Sequence, residues 1–249
     1  MSPPKEHTLI RQVSPNDSPS LSQICLLTAD AGTSAARNHS ENPGADFPGN
    51  VYAVPYAHMK NTFGFVVVAK GGDGDEEVVG YILGATDTRA FEAEVEQDWY
   101  PALRRRFPLS LAADDATDVV EHTSSAGSTT VDPSILTPED RRYFKLFHKP
   151  DTAYDNCVKF SPAHLHINVL PEYQRQGWGR RLIDTAVRHL NKEGRSADER
   201  KLEGVWLCMD PRNKEAANFY ERVGFEGVEG APETCVGVRF EKWLKRYGE

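Results

Sequence analysis

An α/β fold of the α+β kind, a mixed and mostly antiparallel central sheet flanked by helices, is predicted by three observations. Gly64 to Ala69 and Val78 to Ala85 are rich in β-branched residues and are separated by Gly71-Gly72-Asp73-Gly74, the composition of an antiparallel hairpin. His164 to Leu170 alternates polar and apolar residues. It then passes through Gln174-Arg175-Gln176-Gly177-Trp178-Gly179-Arg180 into a segment with Leu182, Ile183, Ala186, Val187 and Leu190 at helical spacing. Gly204 to Met209 is a further apolar run, followed by a helical pattern that begins near Asn213 and contains Phe219 and Tyr220.

From the amino terminus onward, Asp17-Ser18-Pro19 supplies a cap and a first-turn proline for a helix carrying Leu21, Ile24, Cys25 and Thr28. Residues 32–60 are rich in Gly, Asn and Pro with Phe47, Tyr52 and Tyr56 among them, the pattern of a long ordered loop or broken helix bordering a substrate cleft. Beyond the hairpin, Phe91, Val95, Trp99 and Leu103 recur every fourth position between Ala90 and Arg106, which predicts a packed helical face. Between Leu111 and Glu139 the composition shifts to Asp, Ser, Thr, Ala and Gly, with too little apolar surface to offset the cost of ordering the chain. That segment, 111–139, reads as a flexible acidic insertion in one domain spanning 1–249. Helical character returns at Glu139 to Phe147.

Composition bounds the function. A chain of 249 residues, 39% hydrophobic and 10% aromatic, is long enough to bury a substantial core. The net charge of −8, from 37 acidic against 29 basic residues, leaves no broad basic surface for a phosphate backbone and argues against a nucleic-acid partner. No 18-residue apolar run exists, and Pro3, Pro4, Lys5 and Glu6 stand where a signal peptide would need apolar residues. A cytoplasmic protein with no membrane partner is expected, with a nuclear location also compatible. Cys25, Cys157, Cys208 and Cys235 lie far apart, with no CxxC pair and no His at metal-ligand spacing. Separate reduced thiols are expected, with neither a metal site nor a disulfide framework.

The glycines at 177 and 179 let backbone approach an anion closely, and the first turn of the following helix presents unpaired N–H groups at the positive end of its dipole. A pyrophosphate suits that place. A dinucleotide fingerprint would need G-x-G-x-x-G with an acidic residue about twenty positions on, and a nucleotide P-loop would end in G-K-[ST]; neither pattern is present. The Q-x-x-G-x-G order of Gln174, Gly177 and Gly179 resembles the acetyl-CoA-binding motif of the GNAT superfamily of N-acetyltransferases. The N-x-x-A-x-x-F-Y-x-x-x-G-F order from Asn213 to Phe225 resembles the second half of that family's signature. Over most of the chain, Cys25 to Ala31, Val51 to Tyr56, Gly80 to Phe91 and His164 to Pro171 resemble the acetyltransferase-like domain of O-GlcNAcase and its free-standing bacterial relatives. Asn168 departs from the Asp of those bacterial relatives, and the appended domain is regarded as catalytically degenerate.

The resemblance implies a GNAT fold with two splayed strands, acetyl-CoA as cosubstrate, no metal, and transfer of the acetyl group to a primary amine. A small-molecule acceptor such as an amino sugar is the substrate class it suggests. It implies pantetheine pairing by the backbone of Asn168, Val169 and Leu170. The pyrophosphate would be held at Gln174, Arg175, Gln176, Gly177, Trp178, Gly179 and Arg180, with Asn213 orienting the pantetheine arm. Tyr220 matches the tyrosine that protonates the departing thiolate in many family members. His164 and His166 share one strand face, and an imidazole titrates near 6.5, so either is a candidate base. The His-x-His spacing is similar to that of arylalkylamine N-acetyltransferases. Asp210, at a strand's carboxyl end, is a candidate either to hold the amine or to cap the next helix, and Asp87 and Thr88 are candidate substrate contacts at the end of the hairpin. Two alternatives remain at this point: acetylation of a peptide or protein lysine, and a non-catalytic acetyl-CoA-binding sensor or interaction module.

Overall fold

The computed structural model describes residues 7–40, 46–71, 75–113, 116, 119–124 and 127–248. Its strands are β1 (His7–Gln12), β2 (Thr62–Lys70), β3 (Glu76–Ala85), β4 (Val120–Ser124), β5 (Gly127–Val131), β6 (His164–Val169), β7 (Gly204–Cys208), β8 (Glu226–Gly227) and β9 (Cys235–Arg239). Seven of them form one sheet in the order β1-β2-β3-β6-β7-β9-β8, while β4 and β5 pair separately. Within the large sheet only β6 and β7 run parallel; the other neighbours are antiparallel. The hairpin predicted from the β-branched runs is the β2–β3 pair, and its expected glycine turn at 72–74 lies outside the described residues.

The helices are α1 (Ser18–Leu26), α2 (Phe47–Tyr52), α3 (Thr88–Glu94), α4 (Tyr100–Arg106), α5 (Pro138–His148), α6 (Asp155–Phe160), α7 (Trp178–Glu193), α8 (Lys214–Val223) and α9 (Phe240–Tyr247). They cover both faces of the sheet. Residues of α1 to α5 join Val66, Val68, Tyr81 and Leu83 in one buried cluster, and residues of α7 to α9 join Val67, Ala69, Val79 and Ile82 in another. Strands buried on both faces need apolar residues at consecutive positions, which is why β2 reads as an unbroken run rather than an alternation. The stripe predicted on α7 is realised: Leu182, Ile183, Ala186, Val187 and Leu190 are all fully buried. Each large member contributes roughly 1.5–3 kcal/mol by leaving water.

The packed face expected at 90–106 exists, with Phe91, Val95 and Leu103 buried, but it is not one continuous α-helix. A π-helical turn at Val95–Trp99 separates α3 from α4. Pro101 has no N–H to return to the preceding turn, and the ladder widens just before it.

Three further expectations are corrected. The described residues of 111–139 are not simply solvated: they include β4 and β5, and Leu111, Val131 and Leu136 reach the first cluster. Arg141 donates to the carbonyls of Leu111 and Pro133, clipping this segment to α5. Few apolar residues sufficed because Leu111, Val131 and Leu136 are placed in the core, while Val119 and Ile135 stay exposed. Asp17 precedes α1 but makes no side-chain cap; its carboxylate accepts a two-pronged contact from Arg11, each arm 2.8 Å. The cysteines are not four separate thiols, since Cys208 and Cys235 form a disulfide, and Cys157 lies with them. Their sequence distance concealed this, because it is the β7–β9 register that sets Cys208 opposite Cys235. Among the described residues no helix is long and apolar enough to cross a membrane.

A cleft where two parallel strands part

The parallel contact between β6 and β7 is a single residue pair, His164 with Trp206, closed by the Trp206 N–H donating to the Ala163 carbonyl at 3.3 Å. Beyond it both strands continue, to Val169 and Cys208, without pairing. Leu170 N–H donates to the Val79 carbonyl at 2.9 Å, so the antiparallel alternation turns Asn168 and Leu170 backbone toward β3 and aims that of Ile167 and Val169 into the gap. Of the three backbones expected to pair with a pantetheine arm, that of Val169 faces the gap, as does that of Ile167, while those of Asn168 and Leu170 turn to β3.

A cleft of about 2890 Å³ opens along this gap. Pockets for drug-sized ligands are roughly 300–1,000 Å³, so the space is large enough for more than one such molecule. One wall is β6, the loop from Leu170 to Gly177, the end of β7, and α8; the facing wall includes Thr28 to Ser34, Tyr52 and Tyr143.

The loop's conformation follows from its residues. Arg175 has φ 61° and Gly177 φ 86°, and the latter left-handed conformation is one that glycine adopts without strain. Gly177 caps α7, whose first bond runs from Arg181 N–H to the Gly177 carbonyl at 3.1 Å. The amides of Trp178, Gly179 and Arg180 therefore have no intrahelical acceptor. Gly179 is required by packing, since a Cβ there would lie 2.9 Å from the Phe219 ring. Gln174, Arg175, Gln176 and Arg180 are exposed. Arg175 reaches Glu215 at 3.4 Å with both side chains mostly in solvent, a pairing that a phosphate can displace at little cost. Gln174 Nε2 donates to the Val169 carbonyl at 2.8 Å, bracing the loop on the strand. Trp178 does not line the cleft; it is buried in the second cluster with Arg181 over its ring.

His164 and His166 both point to the face covered by α1 and α2, and one residue joins them. The Tyr56 hydroxyl lies 2.8 Å from His164 Nε2 and 3.0 Å from His166 Nε2. On its other side His164 Nδ1 meets Thr88 Oγ1 at 2.8 Å, and that hydroxyl donates to the Pro162 carbonyl at 2.7 Å. The hydrogen positions follow from these partners. Thr88 has given its proton to the carbonyl, so it accepts from His164 Nδ1–H; His164 Nε2 then accepts from Tyr56, whose oxygen accepts from His166 Nε2–H. His166 Nδ1 keeps its lone pair, and His166 lines the cleft whereas His164 does not. Burial pushes His164 down to about 3, aided by its neighbour His166, and burial likewise pushes His166 down to about 4. Both rings are neutral at pH 7.

Tyr220 lines the cleft from α8, packed between Phe219 and Phe225. Burial raises its phenol above the ordinary range, so it stays protonated. Asn213 caps α8, its side-chain oxygen accepting from Ala216 N–H at 2.9 Å, and the Gly32 turn packs against it. Asp210 lines the cleft but does not cap the helix; it is held by Arg212 at 2.7 Å, and Arg212 also reaches Asp30 at 2.9 Å. This ion-pair network ties one wall to the other. Asp87 and Thr88 are absent from the lining. Asp87 caps α3 through Ala90 N–H at 3.0 Å and accepts from Ala197 N–H at 3.1 Å. The expectation of substrate contact by these two is corrected: a polar pair at a strand end met the needs of a helix start and of His164.

The residue that sequence reasoning missed is Tyr56, 108 positions from His164; its one signal was its place among the aromatics of 32–60. Asn168, whose side chain donates to Thr28, fastens β6 to the end of α1.

Residues 146–227 match the family model of the acetyltransferase (GNAT) domain. The chain is similar to the crystal structure of SsHAT, at 29% identity with a TM-score of 0.68, covering 94% of this chain and 98% of that one. More remote are the spermidine/spermine N-acetyltransferase SpeG from Vibrio cholerae, at 13% identity and a TM-score of 0.42, covering 97% and 99%, and AtaTR bound with AcCoA, at 10% and 0.46, covering 96% and 98%.

Proposed function

We propose that this chain, which carries a GNAT acetyltransferase domain, transfers the acetyl group of acetyl-CoA to a primary amine. The observation that carries the reading is the single-pair contact between β6 and β7, opening directly beside the Gly177 cap of α7. The Ile167 backbone and the Val169 N–H face the gap and complement the amides of a pantetheine arm, and the unpaired amides at the start of α7, with Arg175 and Arg180 nearby, suit its pyrophosphate.

The chemistry needs a neutral amine, an acceptor for its proton and a donor for the departing sulfur. His166 Nδ1 accepts the amine proton as the amine attacks. With an imidazole held near 4, the proton is released to water in the cleft rather than stored, and the hydrogen bonds from His166 through Tyr56 to His164 and Thr88 hold the ring with Nδ1 free to accept. Tyr220 gives its phenol proton to the thiolate as the carbon–sulfur bond breaks. Both groups line the same cleft. The acceptor is read as a small amine, with an amino sugar first among the candidates.

The test is thiol release from acetyl-CoA with glucosamine, arylalkylamines, polyamines and a lysine peptide, each against a no-amine blank. Release with one class, suppressed by Tyr220→Phe, supports the reading and names the acceptor. Turnover confined to the lysine peptide would move the acceptor to proteins. No release from any amine, with acetyl-CoA still raising the melting temperature, would reduce the chain to a cosubstrate-binding module.

A further inference from the structure

Three cysteines distant in sequence meet at the mouth of the gap between β6 and β7. Cys208 ends β7, and its antiparallel partner on β9 is Cys235, with their Cα atoms 4.0 Å apart and their sulfurs bonded. The sulfurs of Cys157, Cys208 and Cys235 all lie within 4.8 Å of one another. Their exposure differs sharply: Cys157 and Cys235 are fully buried around Trp206 and Val228, whereas Cys208 is exposed and lines the cleft together with Met209 and Asp210. Any reagent arriving from the cleft meets Cys208 first, and Cys235 is reached only through it.

We propose that the Cys208–Cys235 pair is a thiol–disulfide exchange site whose reaction partner is coenzyme A itself, in its disulfide and free-thiol forms. The inference rests on the cosubstrate reading above. The Cys208 thiolate attacks one sulfur of a coenzyme A disulfide; a Cys208–CoA bond forms, the bond between the two CoA sulfurs breaks, and one CoA leaves as a thiolate. Cys235 then attacks the Cys208 sulfur; the protein disulfide forms, the Cys208–CoA bond breaks, and the second CoA leaves. Two electrons pass from the protein dithiol to the CoA disulfide, and the two thiol protons end on the two released CoA molecules. Run backwards, free CoA, the product of acetyl transfer, reduces the pair. The Cys208–Cys235 couple is thereby set by the ratio of CoA thiol to CoA disulfide in the cleft. Selectivity comes from the loop and helix start beside it, which raise the local concentration of anything carrying the CoA pyrophosphate. Burial raises the Cys157 thiol above its ordinary range, so it stays protonated and takes no part.

The test uses the full chain, reduced and then exposed to equal concentrations of coenzyme A disulfide or glutathione disulfide, followed by intact-mass and peptide-mass analysis. Oxidation by coenzyme A disulfide is expected on the order of a hundredfold faster than by glutathione disulfide, and acetyl-CoA, which has no free thiol, is expected to slow it. Cys235→Ser should accumulate a CoA adduct on Cys208, and Cys157→Ser should oxidise as the parent does. Equal rates with both disulfides and no protection by acetyl-CoA would overturn the proposal, as would an adduct on Cys157. The melting temperature of Cys208→Ser with and without acetyl-CoA separates the two readings. A retained rise with failed exchange removes the redox site alone, and a lost rise removes the cosubstrate reading and this inference with it.

Discussion

One wall of the cleft comes from a continuous stretch, 164–225, whose strand, glycine loop and helices succeed one another along the chain. The facing wall is assembled from Thr28, the 30–34 turn, Tyr52 and Tyr143, with Tyr56 behind. The strand edge and loop of the first wall work with backbone groups and exposed arginines, so that part of it is written in glycine positions, while the same wall also carries His166 and Tyr220. The second works with buried side chains whose meaning depends on what they touch. His166 alone is a histidine on a strand; beside Tyr56, itself bonded to His164, it is a neutral ring with one lone pair left over. A binding surface made of backbone tolerates many neighbouring sequences, whereas a proton route made of side chains is specific to each residue in it.

That contrast can be tested from its strongest consequence down. Tyr220→Phe keeps the ring between Phe219 and Phe225 but removes the acid, and is expected to lower kcat by about 10²–10⁴ with acetyl-CoA affinity unchanged, measured by thiol release and calorimetry. A wild-type kcat in this variant would return Tyr220 to a packing role. Tyr56→Phe breaks the link between two buried imidazoles. It is expected to cost roughly 1–3 kcal/mol of stability in urea unfolding and about tenfold in kcat. A stability loss with unaltered kcat would mean that the hydroxyl only supports the fold.

In the glycine loop, Gly177→Ala adds a Cβ that meets nothing within 4 Å but must hold φ 86°. The strain is roughly 1–2 kcal/mol, and acetyl-CoA should bind about tenfold more weakly with kcat little altered. Effects on kcat alone would contradict the division between a backbone binding surface and buried side chains.

The pH dependence follows from the lowered histidines. Both are neutral in the folded chain down to about 3 and 4, whereas unfolded imidazoles take up protons near 6.5. The unfolded state therefore binds more protons below pH 6.5, and stability falls as pH drops from there toward 4. His164→Gln should flatten that fall in urea midpoints. By the same reasoning kcat/KM between pH 5.5 and 8.5 should follow the ionisation of the acceptor amine, with no inflection from an imidazole near 6.5. The smallest effect is expected at Arg212→Ala. Arg212 is largely exposed, so stability should change by about 1 kcal/mol or less, while the acceptor KM shifts because Asp30 and Asp210 are released into the cleft.

Much of the 164–225 wall was legible in advance. The α7 stripe, the β2–β3 hairpin and the glycine loop each express a local rule: burial periodicity, β-branched runs, a left-handed cap. The facing wall was legible only as a cluster of aromatics. Asp87 and Thr88 were read as ligand contacts because polar residues at strand ends serve that use, yet a helix cap and a histidine had prior claim on them. The described residues of 111–139 were read from composition, which counts apolar residues but does not say that Leu111, Val131 and Leu136 converge on one core.

The sequence by itself determined the elements and the glycine-capped start of α7, because strand alternation, helix periodicity and the conformational freedom of glycine act over a few neighbouring residues. The tertiary structure alone decided that β6 and β7 share one pair before parting, that Tyr56 stands between two histidines, and that Cys208 faces Cys235. Each of those depends on strand register or on packing between segments far apart in the chain, and a hydrogen bond or a disulfide is set by distances that no local pattern encodes.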